Sequence, residues 1–411
     1  MNFLKKLIIS TAILMFALPI LCLAQTDSLT VTAVNKLSFG RLNQTIELSA
    51  RQLEPLGKNI VLNRIHVKDA AGKELLSQAI DTSGNYQPDE VIFQADFAPN
   101  QTRHFYVYLG KRHLYTKDQF KAYGRFVRER FDDFAWENNR IADRTYGQAL
   151  KNWKGGPLTS SAIDVWCKKV NKLVVNNWYM TGHVETDTGQ GADLYRAGDS
   201  RGVGGDGLWA NGKLWTAENY TKSRVFGKGP IRVMFRLNYN PFSMRGDSVD
   251  EVKRVALDAG QNLNHFTITY SSKSRSLNNL VAGIGIEKTD LTAKEVRKGI
   301  QPGQPMERSP GALTQKDVNA KQGWMTTQQP LSEGMLNCAI IVNPKDFVKT
   351  TTDKENQLLL AKVPANHKIS YWAGFYWSKS GQFKNYKAWK TYIRHFAKGL
   401  QSPIQVTVSD Q

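Results

Sequence analysis

Pro230–Asn240 reads PIRVMFRLNYN, with Ile231, Val233, Phe235, Leu237 and Tyr239 alternating with Arg232, Met234, Arg236 and Asn238. A period of two places the apolar set on one face of a strand and the polar set on the other. The same signature recurs on both sides. Between Ser28 and Tyr108 it appears as LTVTAV, TIELSA, IVLNRIHV, VIFQADF and HFYVYL, separated by Asn, Gly, Pro and Asp clusters. Further along, Val252–Leu257, Phe266–Tyr270, Val281–Glu287, Leu336–Val342, Gln357–Val363 and Ile369–Trp377 repeat it. Helical spacing is clear only in YKAWKTYIRHFAKGL, where Trp389, Tyr392, Ile393, Phe396, Ala397 and Leu400 share one side, and Thr292–Gly299 is a shorter candidate. The expected class is mostly β: a small N-terminal β-sandwich over 25–112, then a larger β-sandwich over 125–411 ending in a strand at Ile404–Val408.

Lys5 and Lys6, the apolar run Leu7–Leu23 and Ala24 have the layout of a secretory signal peptide over 1–24, so a periplasmic or secreted protein is expected. No other apolar run is long enough to span a bilayer. Losing the two leader lysines lowers the formal charge from +19 to +17. A basic exported chain suits an acidic oligosaccharide or polysaccharide, and export argues against nucleic acid. Cys167 and Cys338 remain after cleavage and read as two separate buried thiols. Oligomeric state is not legible.

Polar chemistry concentrates in HVETDTGQGADLYRAGDSRGVGGDGLW, residues 183–209, which holds seven glycines, carboxylates, His183, Tyr195, Arg196 and Arg201. Such a segment reads as a long loop delivered by a strand through Ala162–Tyr179, and loops on rigid scaffolds are where ligands are met. If that strand runs on, His183, Glu185 and Asp187 share a face and form a candidate divalent-cation site; no other cofactor is indicated. Upstream, Trp136, Glu137 and Arg140 stand in an alternating charged stretch. Downstream, Trp372 and Trp377 belong to an aromatic run on which sugar rings could stack. The expected catalytic group is His183, Asp193, Tyr195 and Glu137, converging at one end of the large sheet beside Trp136 and Arg140. Substrate contacts are expected from Arg140, Trp136, Arg196, Arg201, Trp372 and Trp377.

The segments FDDFAWENNRIADRTYG, IDVWCKKV, the 183–209 loop, GPIRVMF and LDAGQNLNHF occur in the order found in the DUF4861 domain family of exported Bacteroidetes carbohydrate-degrading systems, which the chain resembles over about Ser28–Val408. The resemblance implies a sugar-related role and a galactose-mutarotase-like large sandwich behind a smaller one. It supplies no mechanism. Three functions fit the residues. A uronate lyase, carried forward here, needs a base, a carboxylate-neutralising cation and an acid, drawn from His183, Tyr195 and an arginine. The alternatives are a glycoside hydrolase using two of Glu137, Asp187, Asp193 and Asp206, and a non-catalytic glycan-binding protein.

Overall fold

The structure is a computed structural model and describes residues 28–182, 186–272, 277–291 and 310–410. The expected leader, His183, Glu185 and the short helix at 292–299 lie outside the described residues. The protein is mostly β, a small N-terminal sandwich followed by a large sandwich with few helices.

The small sandwich pairs a five-stranded sheet with a three-stranded one. The first contains Ser28–Val34, Ile65–Asp69 and Thr102–Leu109; the second contains Arg41–Ser49, Ser77–Ile80 and Glu90–Phe97. Leu29, Val31, Ile46, Leu48, Phe93, Phe105 and Val107 fill the space between them. The chain's last strand, Gln405–Asp410, belongs here rather than to the large unit, since it pairs antiparallel with Ser28–Val34 from Leu29 opposite Asp410 to Val34 opposite Gln405. It covers an edge that would otherwise present unpaired backbone groups.

The large unit is a nine-stranded sheet facing two five-stranded sheets. Of its middle strands, Arg232–Asn238 alternates strictly, Asp247–Asp258 and Leu263–Ser271 alternate over most of their length, and Lys368–Trp377 alternates only in its first half and is buried on both faces from Ala373 onward. Val233, Phe235, Leu237, Val255, Phe266, Tyr371 and Phe375 face inward and meet Phe134 and Trp136 of one five-stranded sheet and Val203, Ile284 and Leu359 of the other. The opposite face of the nine-stranded sheet receives the C-terminal helix Tyr386–Gln401 and, beside it, the small sandwich. Asn385 caps that helix by accepting from Ala388 N at 3.0 Å, and Tyr386, Trp389, Ile393 and Ala397 are its buried stripe. Cys167 and Cys338 are both buried and unpaired, as the sequence suggests.

One local expectation fails. Val175–Thr181 is a helix rather than the continuation of a strand, so Trp178 and Tyr179 sit on its turns. The amides of Val174 and Val175 at its start donate to the Glu137 carboxylate, a cap supplied from a distant strand that local alternation cannot reveal.

Ile393→Ala removes a fully buried side chain between helix and sheet. We expect a loss of about 2–5 kcal/mol in denaturant unfolding, against less than about 0.5 kcal/mol for exposed Arg394→Ala on the same helix.

Candidate functional site

The described part of the 183–209 segment folds into the protein. Asp187 forms an ion pair with Lys169 and accepts from Gly189 N at 2.8 Å and Gly191 N at 2.9 Å. Gly191 has φ +102°, and a Cβ there would lie 1.9 Å from the Cys167 carbonyl oxygen, so the close backbone approach requires glycine. Asp193 points to Arg144, 3.5 Å away, and Arg144 also meets Asp164 at 2.7 Å and Asp133 at 3.4 Å. This group lies on the outer face of the five-stranded sheet beneath the helix Val175–Thr181, with Tyr146, Trp166 and Tyr179 around it. Burial pushes Asp133 up to about 7 despite the neighbouring Arg144 guanidinium. Tyr195 is fully buried with its hydroxyl against the Glu287 carboxyl, and burial raises both groups. Arg201 donates to Ser161 Oγ at 2.9 Å and Ser160 Oγ at 3.1 Å, while Asp206 is held by Lys253 at 2.8 Å and the Tyr270 hydroxyl at 2.5 Å. Arg196 alone of these is exposed.

The upstream trio does not converge either. Trp136 faces the core and donates to Asn264 Oδ1 at 2.7 Å, whereas Glu137 faces the opposite side and is locked by Lys168 at 2.8 Å and by the helix amides. Successive residues of a strand point to opposite faces, so a site using both Trp136 and Glu137 has no common side. Trp377 is buried, its Nε1 donating to the Glu333 carbonyl at 2.6 Å. Among the described residues no group of three or more His, Cys, Asp or Glu is arranged to hold a metal ion; Asp187 is committed to Lys169, and the other two proposed ligands are not described.

Two of the expected substrate contacts, Arg140 and Trp372, do meet. They line an open cleft of about 690 Å³ between the small sandwich, the outer face of the nine-stranded sheet and the C-terminal helix. Arg140 projects from the turn after Asp133–Asn138. Its Nε donates to Asn262 Oδ1 at 2.6 Å, its carbonyl accepts from Gln382 Nε2 at 2.8 Å, and its guanidinium lies 5.5 Å from the Phe383 ring. Arg41 enters from the small sandwich and donates to the Ser402 carbonyl at 2.9 Å at the negative end of the helix. A Cβ at Gly399 would come to 3.0 Å from the Arg41 guanidinium, so the glycine lets Arg41 lie close against the helix. Neither arginine has a carboxylate partner among the described residues. The third arginine of the cleft, Arg232, is neutralised by Asp258 at 2.5 Å and Glu47 at 2.8 Å.

Rings complete the walls. His265 stacks on Trp372 at 4.4 Å and His395 on Phe39 at 3.8 Å, with Tyr392 and Phe396 on the same helix face. Burial lowers His265 to about 4; burial and the neighbouring Arg394 and Lys398 lower His395. Both imidazoles are therefore uncharged at neutral pH. Tyr392 is raised to about 12 by burial and keeps its proton. The cleft offers two cations with unspent hydrogen-bond donors, aromatic faces and uncharged bases. Residue type alone pointed to Arg140 and Trp372. Arg41 and His395 carried no signal, because only packing of the small sandwich beside the helix brings them there.

The family profile described as Domain of unknown function (DUF4861) matches residues 34–406, nearly the whole chain. The protein belongs to the DUF4861 family. A relative by sequence is the uncharacterized protein P7 of Formosa agariphila, 30% identical over 397 residues that cover 92% of this chain and 93% of that protein. Among solved structures, a protein in the glycosyl hydrolase family 38 from Enterococcus faecalis aligns with a TM-score of 0.44 and 9% identity over 93% of this chain and 47% of that one, so this chain spans about half its length.

Two measurements test the buried charges of this DUF4861 chain. Lys168→Ala strands the Glu137 carboxylate in the interior and should cost about 3–5 kcal/mol of stability, while Lys168→Met with Glu137→Gln should recover much of it. Asp143 is fully buried and raised to about 8, so folding takes up a proton there between the unfolded value of about 4 and that limit. A raised carboxyl favours the folded state at low pH and loses that contribution as pH rises. Relative to wild type, Asp143→Asn should therefore gain stability between pH 5 and pH 8, read from urea midpoints; a pH-independent difference would show that Asp143 is ionised throughout.

Proposed function

We propose that the protein binds an acidic, uronate-containing glycan in the cleft between the small sandwich and the C-terminal helix and cleaves it by elimination. The observation that carries this reading is the pair Arg41 and Arg140, two guanidinium groups without carboxylate partners among the described residues, facing an open cleft walled by Phe39, Trp372, Phe383 and Tyr392. A guanidinium binds a carboxylate through two parallel hydrogen bonds, and sugar C–H faces cover aromatic planes. The compartment expected from the leader and the basic charge of the chain agree with an anionic extracellular substrate.

In the elimination, the arginines pair with the uronate carboxylate and so acidify the adjacent C5–H. Uncharged His395 takes that proton, and the bound carboxylate raises its basicity. The electron pair of the C5–H bond forms the C4–C5 double bond as the C4–O bond breaks. Tyr392 returns a proton to the departing oxygen. The products are an unsaturated uronate and a new reducing end.

Incubation with uronate oligosaccharides, reading ultraviolet absorbance of unsaturated ends beside reducing ends, tests the reaction. Arg140→Ala is expected to weaken kcat/KM about 10- to 100-fold, the worth of one charged hydrogen-bonded contact. His395→Ala should abolish turnover while leaving oligosaccharide affinity within a few-fold. Reducing ends without absorbance would replace elimination by hydrolysis, and binding without either product would leave a glycan-binding protein.

A further inference from the structure

The outer face of the nine-stranded sheet carries a feature that the cleft does not use. Lys222–Lys228, Arg232–Asn238 and Asp247–Asp258 are neighbouring antiparallel strands, and their register sets Arg224 opposite Arg236 and Arg236 opposite Arg254. Directly opposed residues share a face with Cβ atoms about 5 Å apart, and like charges there repel. Compensation is slight. The Asp81 carboxylate lies 3.8 Å from Arg224, but its oxygens already accept from the amides of Gly84, Asn85 and Tyr86. Arg254 donates to the Thr82 carbonyl at 2.8 Å. Arg236 Nε is buried with no hydrogen-bond partner among the described residues.

Phe226 sits among them, its ring 5.1, 5.9 and 5.0 Å from the guanidinium carbons of Arg224, Arg236 and Arg254, and Tyr86, 83% exposed, covers Arg224 at 3.9 Å. Ring faces hold these cations in place without neutralising them. A row of positive charge is thus fixed on a rigid sheet against its own repulsion.

The row lies on strands that also carry part of the cleft wall. Two residues along the same strands, register aligns Met234, Ala256, His265 and Trp372, and the last three line the cleft. The two rows are separated by about 7 Å, two residues of strand rise. We infer that Arg224, Arg236 and Arg254 form an accessory subsite that takes the anionic groups, carboxylate or sulfate, of a longer acidic glycan whose reacting end lies in the cleft. The inference rests on the cleft reading for the placement of that end. Its consequence is a preference for chain length: a short ligand reaches only Arg41 and Arg140, while a longer one also meets the arginine row.

The test compares affinities of uronate disaccharides and octasaccharides by calorimetry for wild type, Arg236→Gln and Arg236→Lys, with circular dichroism and thermal unfolding as folding controls. Among the described residues the Arg236 Nε has no hydrogen-bond partner to lose, so Arg236→Gln should fold normally. The octasaccharide should bind wild type at least 10-fold more tightly than the disaccharide. Arg236→Gln should lose several-fold of that gain and show a shallower salt dependence, Arg236→Lys should keep most of it, and the disaccharide should be indifferent. Sulfated and carboxylated chains of equal length identify which anion the row prefers. No gain with length, or an octasaccharide affinity unaffected by Arg236→Gln, overturns the subsite. Equal, Arg236-dependent binding of a single-stranded oligonucleotide overturns the glycan as its occupant. A disaccharide that does not bind wild type defeats the cleft reading instead, and the arginine row then stands or falls on the octasaccharide alone.

Discussion

The side-chain amide of Asn138 is the contact on which the geometry of the cleft depends. It is fully buried, and each of its polar atoms is used twice: Nδ2 donates to the carbonyls of Asp258 at 2.6 Å and Gln261 at 2.8 Å, and Oδ1 accepts from Arg140 N at 2.7 Å and Ile141 N at 2.9 Å. A buried amide satisfied in this way has one orientation. It therefore welds the turn between two strands of one five-stranded sheet to the turn between two strands of the nine-stranded sheet, and Asn139 Oδ1 accepts from Gly260 N at 2.8 Å. With the backbone of Arg140 fixed, its side chain meets Asn262, which in turn donates to Gln382 at 2.6 Å in the segment leading to the C-terminal helix. Two sheets and the segment leading into the helix are thus joined at one end of the cleft.

The polar residues of the 183–209 segment serve a different end. Arg144 with Asp133, Asp164 and Asp193, Lys168 with Glu137, and Lys253 with Asp206 are all buried ion pairs. Such pairs add little net stability, because desolvation offsets most of the attraction, yet removing one partner is costly. Their effect here is to define position: Lys168 and Glu137 set where the helix Val175–Thr181 begins, and Arg144 draws Asp193 onto the sheet beneath it. A composition that resembles a site is, in its described part, largely a means of folding an irregular segment into a sandwich interior without unpaired charge.

This accounts for what the sequence disclosed and what it concealed. Strands such as Arg232–Asn238 and Lys368–Trp377 were legible because a period of two needs no knowledge of partners. The final strand was legible as a strand, but its pairing with Ser28–Val34 joins the two ends of the chain and leaves no local trace. Asp193 and Tyr195 could not be separated from catalytic residues by type, since a carboxylate that meets a buried arginine and a phenol that meets a buried carboxyl look the same in sequence as those awaiting a substrate. Arg140 and Trp372 were found for the converse reason: an arginine at a turn and a tryptophan at an outward position remain available. Arg224, Arg236 and Arg254 each occupy an outward position in an alternating run, yet only register makes them a row.

The interior also changes how the charge of the molecule should be read. Among the described residues, nine carboxyl groups are buried, Asp81, Asp133, Glu137, Asp143, Asp164, Asp193, Asp206, Glu251 and Glu287, against four basic groups, Arg144, Lys168, Arg201 and Lys253. Burying more acid than base withdraws negative charge from the surface, so the surface is more basic than the formal charge of the sequence. Burial also raises several of those carboxyls, Asp143 and Glu251 to about 8, which holds part of the internal excess neutral instead of leaving it as a field. The positive potential that reaches solvent is therefore less opposed from within than the count of buried acids implies, and arginines are gathered at the cleft and along the row beside it. On the function proposed above, potential concentrated in this way would steer an anionic chain toward one face of the sheet before any contact is made.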